Sequence, residues 1–419
     1  MNRRKFCSSF ALASLGLNAR ALFAQHGKSF SHVPFRPITR GPQFHWFGYY
    51  DKFQFDPTDR YILGNQVKFE HRTPKADDEI VVGMVDTDDG DKWIDLGTSK
   101  SWGWQQGCML QFAPGEGSRV IWNDREGDRF VSRVLDIKTG KQKTLPYAIY
   151  SLSPDGEFAV GADFARIQHF RPGYGYKGGK DPFAGQRAPM EGGIYRMDLE
   201  TGETKVIVRL GELAQLPYLG KDISQKWHYV NHLLVSPDSE RLIFLNRWRD
   251  QDSSAGRYNT RMFTVNQDGS DLHHFTDYTA ASHFIWRDSE NIMAFINPNG
   301  KPRRFYMMKD KTQEHQVIAP ETMPTNGHNT YLPIGDNDWV LNDTYPDPKT
   351  SNQTPYLYQK STGKRFDLGD FHAPGKYRGE WRCDTHPRSS RDGMKVCIDS
   401  PHGGNGRQMY LLDISSIVA

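Results

Sequence analysis

Four histidines of this 419-residue chain stand at equivalent places in a repeating pattern. His232, His283, His328 and His386 each precede a turn by a few residues, in NHLLVSPDS (231–239), SHFIWRDSE (282–290), HNTYLPIGD (328–336) and HPRSSRDG (386–393). A single histidine of this kind is more often a satisfied structural side chain. Four at one place in a repeat predict a shared metal or catalytic cluster, because imidazole binds divalent ions and titrates near neutral pH. The donor type suits manganese, zinc, iron or nickel, and ligands that meet only in space leave no local motif to choose among them. Arg382 and Asp384 lie two apart, so on a strand they share a face. Asp384 then either orients a neighbouring histidine or closes a salt bridge with Arg382.

The remaining turns are also preceded by polar and aromatic residues: HWFGYYDK (45–52), WQQG (104–107), Tyr147 with Tyr150, and WHYVNHLL (227–234), which adds His228. A strand that only filled a core would carry Val, Ile and Ala there. Tyr50, Gln106 and Tyr150 are therefore expected to meet a ligand. The basic, aromatic, Gly-rich segment HFRPGYGYKGG (169–179) suits a lip that stacks Tyr174 on a sugar ring while Arg171 meets a carboxylate. An ordinary long surface loop accounts for it equally well. Of the ten tryptophans, only Trp46 and Trp104 are given ligand roles.

The elements that must position these groups repeat seven times. One half of the unit is a hairpin around a Pro/Asp/Gly turn: 53–64, 110–122, 150–161, 233–245, 284–295, 331–342 and 387–399. The other half is a second hairpin with alternating apolar residues, such as VSRVLDIKTG (131–140) and GIYRMDLETG (193–202). Two hairpins make a four-stranded blade, and seven blades close an all-β propeller. The seventh unit stops early, at QMYLLDI (408–414), so residues 32–38 are expected to supply its missing strand and close the ring.

Arg3, Arg4 and Lys5 before a short apolar run (10–17) and small residues up to Ala24 read as a twin-arginine export signal. The expected organisation is a signal over 1–24 and one propeller domain over 25–419. Export places the protein in the periplasm or outside a bacterial cell, with no membrane insertion after signal removal. The net charge of +3 is interspersed along the chain, which excludes the basic stripe of a nucleic-acid binder. Cys108, Cys383 and Cys397 lack metal-type spacing. A turn at Asp392-Gly393 sets Cys397 opposite Arg388, so buried free thiols are expected.

The SPDG-type turns, WQQGC (104–108), SHFIWRD (282–288) and HPRSSRDG (386–393) resemble those of oligogalacturonate lyase-like propellers. The opening HWFGYYDK is most similar to propeller enzymes that cleave α-L-rhamnosyl-(1→4)-D-glucuronate ends. The first resemblance implies a manganese site, ahead of zinc or calcium, on His283, His328 and His386 with His232 as a further ligand. The glutamine ligand of those lyases is not matched to a residue of this chain; Arg382 and Asp384 occupy its region. The second resemblance implies a catalytic role for His45 on the opposite face, in enzymes described both as hydrolases and as lyases.

A lyase acting on a 4-linked uronic acid oligosaccharide is the expected activity. Arg382 or a metal would neutralise the carboxylate, and His228 or His328 would take the C5 proton. The alternatives are hydrolysis of a rhamnosyl-glucuronate bond through His45, and a sugar-binding propeller without catalysis. No carboxylate pair of the kind that usually hydrolyses glycosides stands out in the sequence.

Overall fold

Seven backbone hydrogen bonds close the seven turns. They run from the amides of Asp56, Ala113, Ser153, Ser236, Arg287, Leu332 and Ser390 to the carbonyls of Tyr61, Arg119, Phe158, Arg241, Asn291, Trp339 and Lys395, at 2.7 to 3.0 Å. Ser153, Ser236 and Ser390 also use their hydroxyls to hold Asp155, Asp238 and Asp392 in the turn. Short polar side chains that bond their own backbone are what make such turns local decisions. The computed structural model of the protein describes residues 30–115, 117–276 and 281–419. The proposed export signal, 1–24, lies outside them.

Each turn joins the inner two strands of an antiparallel sheet, and among the described residues there are seven four-stranded sheets, as expected for seven blades. Blade one runs Phe44–Trp46, Tyr61–Val67, Ile80–Asp86 and Lys92–Ser99 from the channel outward. Blade seven takes its outer strand from the N-terminal segment. Phe35, Arg36 and Pro37 pair with Leu412, Leu411 and Tyr410, which closes the ring where the sequence ran short. Phe30–Ser31 makes a further small sheet with Gly369–His372 and Asn352–Gln353.

The core lies between blades, where side chains such as Trp46, Phe47, Trp102, Trp104 and Trp122 bury almost completely. Burial of aromatic faces between sheets is the main stabilising term of this fold. Cys397 sits opposite Arg388, and the three cysteines among the described residues, Cys108, Cys383 and Cys397, are buried and free. No helix among the described residues is long and apolar enough to cross a membrane.

Blade three departs from the all-β pattern. Helix α1, Phe164–Phe170, sits between its second and third strands and is capped by Asp163, whose carboxylate accepts from the amides of Ala165 and Arg166. Its buried Phe164, Ile167 and Phe170 follow helical spacing, and the helix hands the chain into the 171–179 segment.

Candidate active site

Counting back four residues from each turn-closing amide gives Lys52, Met109, Ile149, His232, His283, His328 and His386. Blades four to seven thus each place a histidine at the same distance from the turn, within the inner strand for His232 and just ahead of it for the other three, and the rings converge. Ring centroids are 6.4 Å apart for His232–His283, 4.2 Å for His283–His328 and 4.2 Å for His328–His386. His232 and His386 reach this arrangement with φ of 53° and 39°. Such left-handed backbone costs about 1–3 kcal/mol for a residue other than glycine and is found where a site demands it.

The blade-one segment caps the cluster. Tyr49 lies 5.3 Å from both His232 and His386, and its hydroxyl meets His232 Nδ1 at 2.8 Å. Tyr50 stands 5.6 Å from His283 and 5.4 Å from His328, its hydroxyl donating to the Phe284 carbonyl at 3.0 Å. Gly48 permits this approach: its φ is +123°, and a Cβ there would lie 2.8 Å from the Gln106 backbone.

His328 is fixed by a residue the sequence did not mark. Its backbone N–H and its Nδ1 both meet Asp343 Oδ1, at 2.8 and 2.9 Å, and Asp343 also accepts from Thr385. Burial opposes charge on the His328 ring, but the Asp343 carboxylate outweighs it and holds the pKa above the ordinary value. Burial and neighbouring cations push His232, His283 and His386 well below theirs, so these rings are neutral at working pH.

The Nε2 atoms of His328 and His386 and Oδ1 of Asp384 are buried without a partner. One donor from each of these three residues lies within 4.8 Å of the others. Two imidazoles and a carboxylate, with Asp343 behind one imidazole, fit a divalent first-row metal. Of the four histidines expected as ligands, His328 and His386 stand in this group and Asp384 supplies its third donor. His232 meets Tyr49 and His283 meets Asn326, the latter at 3.2 Å, each through Nδ1. Arg382 donates to the other oxygen of Asp384 at 2.7 Å, although residues 382–387 form no strand.

Opposite the three donors stands a wall of arginine and tyrosine. Arg382 Nη2 donates to the Tyr174 hydroxyl at 2.8 Å. Burial raises that phenol's pKa, but Arg382 and Arg171 overcome it and draw it down to about 8. Arg171 stacks 4.6 Å from the Tyr174 centroid and 4.7 Å from that of Tyr258, with Arg247 4.9 Å over the same Tyr258 ring. Nε and Nη1 of Arg247 and Nε of Arg171 are buried without a partner. Tyr150 donates to Gln106 Oε1 at 2.9 Å, and Gln106 Nε2 is likewise unpartnered. The 169–179 segment is therefore not an external lip: Tyr174 is 5% exposed and walls the site.

Three other groups of candidate residues lie outside this cluster. His228 is 0% exposed, bonds the Ile223 carbonyl through Nε2 at 2.9 Å and stacks on Trp248, outside the cluster. His45 meets Gln408 and Gln66 with its two ring nitrogens, each at 2.9 Å, and packs on Trp93. Burial takes its pKa to about 4. Trp46 and Trp104 are core residues, 1% and 2% exposed. Besides Asp343, the sequence reading missed Tyr49, Tyr258, Arg247 and Tyr345, whose ring lies 5.5 Å from that of His328. Arg247 had a signal: a cation inside the apolar strand Arg241–Arg249.

No known family profile matches the sequence, and no curated protein matches it. Solved structures do. An oligogalacturonate lyase in complex with manganese superposes with a TM-score of 0.64 at 15% identity, covering 92% of this chain and 95% of that one. The oligogalacturonate lyase of Vibrio parahaemolyticus gives 0.63 at 14% identity, over 92% and 96%. The likeness is one of fold. It bears out the seven-bladed propeller and, at that level, the resemblance to the oligogalacturonate lyase-like propellers.

Proposed function

We propose that the protein is a lyase that cleaves a 4-linked uronic acid oligosaccharide by β-elimination. The observation that carries this reading is the unpaired cationic wall: buried Arg247 and Arg171 nitrogens without partners, facing a site that also holds Arg382. Buried guanidinium groups left unsatisfied are costly, and an anionic substrate relieves that cost.

The proton at C5 of a uronate becomes acidic once its carboxylate is neutralised. Arg382 and Arg247 stabilise the negative charge that develops there as the C5–H bond breaks. Tyr174, its phenol drawn to about 8 by Arg382 and Arg171, takes that proton. Electrons move from C5 into the C4–C5 double bond, and the C4 oxygen leaves. Tyr49, whose pKa burial holds well above the ordinary value, keeps its own proton and donates it to the leaving oxygen. Both tyrosines flank His232, at 5.3 and 5.7 Å. His328, His386 and Asp384 would hold a divalent first-row ion, manganese being the one bound by the oligogalacturonate lyase of similar fold, and a bound ion would add Lewis-acid stabilisation of the carboxylate. His45 has no part in this reading, since both its ring nitrogens are spent on glutamines.

Digestion of oligogalacturonate and of rhamnosyl-glucuronate ends, followed by ultraviolet absorbance and reducing-end assay, tests the proposal. Elimination gives an absorbing unsaturated uronate with each new reducing end. New reducing ends without absorbance would establish hydrolysis instead.

A further inference from the structure

A second cavity, about 730 Å³, opens beside blades two and three. None of the histidines of the cluster lines it, nor do Arg171, Tyr174 or Arg382. Helix α1 contributes Asp163, Phe164, Arg166 and Ile167 to its wall, while the segment after the helix turns into the histidine site.

Six aromatic residues line this cavity: Phe130, Tyr147, Phe164, Phe183, Tyr195 and Tyr229. Tyr147 is 47% exposed, with its ring 5.1 Å from that of Tyr195. A large aromatic left this open in a concavity is a surface waiting for a partner. The ionic groups cancel. Asp128 and Glu191 at the mouth balance Arg129 and Lys180. Arg166 is spent on Asp181 at 3.1 Å and on the carbonyls of Gln186, Arg187 and His228. Burial beside Asp181 raises Asp163 to about 7, which favours its neutral, donating form below that pH.

We propose that this cavity is a second glycan-binding site, taking a neutral sugar residue stacked on Tyr147. Aromatic faces match the C–H face of a sugar ring, and the polar groups around them match its hydroxyls. The volume falls within the roughly 300–1,000 Å³ of small-molecule sites, enough for one or two sugar units. With no net charge in the lining, a uronate gains nothing over a neutral residue, in contrast to the arginine wall of the histidine site. The second site would hold a neutral branch or neighbouring unit of a glycan.

Saturation-transfer NMR and calorimetry on the mature protein test this, with methyl glycosides of D-galactose, L-arabinose and L-rhamnose as neutral probes and D-galacturonate as the anionic one. At least one neutral probe is expected to bind, about tenfold more weakly in Tyr147→Ala. Tyr147→Phe, which keeps the ring, should retain binding, and galacturonate should bind no more tightly than the neutral probe. Binding is read directly, so the outcome does not depend on elimination. Failure of all three probes, binding that survives Tyr147→Ala, or binding lost instead in Arg382→Ala would overturn the proposal.

Discussion

Asp343 and His328 form a buried couple in which one carboxylate oxygen receives both the backbone N–H and the ring Nδ1–H of the same histidine. Two bonds to one residue fix the tautomer as well as the position, leaving Nε2 as the free donor beside His386 and Asp384. The three donors come from two blades, yet the atom that sets their geometry lies on neither inner strand: Asp343 follows the second strand of blade six, Trp339–Asn342.

Asp343→Asn should therefore act on metal binding before it acts on folding. An amide keeps one acceptor oxygen, loses the charge that favours the Nδ1–H tautomer, and puts either its oxygen or its N–H₂ against the Thr385 hydroxyl, rather than an acceptor on both sides. Manganese affinity, measured by calorimetry on the apo protein, is expected to fall about 10–100-fold, while the far-ultraviolet dichroism stays that of a β-propeller. Unchanged affinity would remove Asp343 from the site.

His228→Gln separates structure from chemistry. The ring is fully buried against Trp248 and satisfied by the Ile223 carbonyl, so its loss should cost about 1–3 kcal/mol of stability. Thermal unfolding should shift downward, while kcat of the folded fraction stays within about twofold, well short of the loss expected for a general base. A fall in kcat without a change in melting temperature would restore His228 to the reaction.

The contrast between His228 and His232 also shows where the sequence stops being legible. Residues four apart on a regular strand share a face, so the two histidines were expected in one cluster. The pairing with the neighbouring strand slips between Asn231 and Leu234, and His232 takes a φ of 53°. One bulge turns His232 to the channel and leaves His228 in the blade. The blades themselves were legible because Ser and Asp side chains and Gly backbone settle the turns locally, and because histidine recurs at one point of the unit. Asp343, Tyr258 and Arg247 carry no such recurrence, since each reaches the site from beyond the inner strand by geometry that no local spacing records.

Arg247 offers a test that pits stability against function. Two of its nitrogens are buried without partners, and it is 3% exposed. Arg247→Met removes that cost while preserving length and packing, so the free protein should unfold at an equal or higher temperature. The same change should raise KM for an oligouronide by tenfold or more, roughly the value of one charge-assisted hydrogen bond. A destabilised variant with unchanged KM would mean that Arg247 is structural.

Tyr174 sets the expected pH dependence. A tyrosine ordinarily titrates near 10, and the two guanidinium groups beside this one bring it to about 8 despite burial. A base works only when deprotonated, so kcat/KM should climb as pH rises toward 8 and level off above it. The rise belongs to Tyr174 if it responds to Arg382, the larger of the two cationic influences. Removing that charge in Arg382→Gln should shift the limb to higher pH as well as lower the plateau, because the carboxylate loses its counter-charge in the same step. Tyr174→Phe keeps the ring that stacks under Arg171 but has no group to titrate, and should cost about 10²–10⁴-fold in kcat with little change in KM. A Tyr174→Phe variant that keeps both its rate and the limb near pH 8 would move the base elsewhere, with His232 next to be tested.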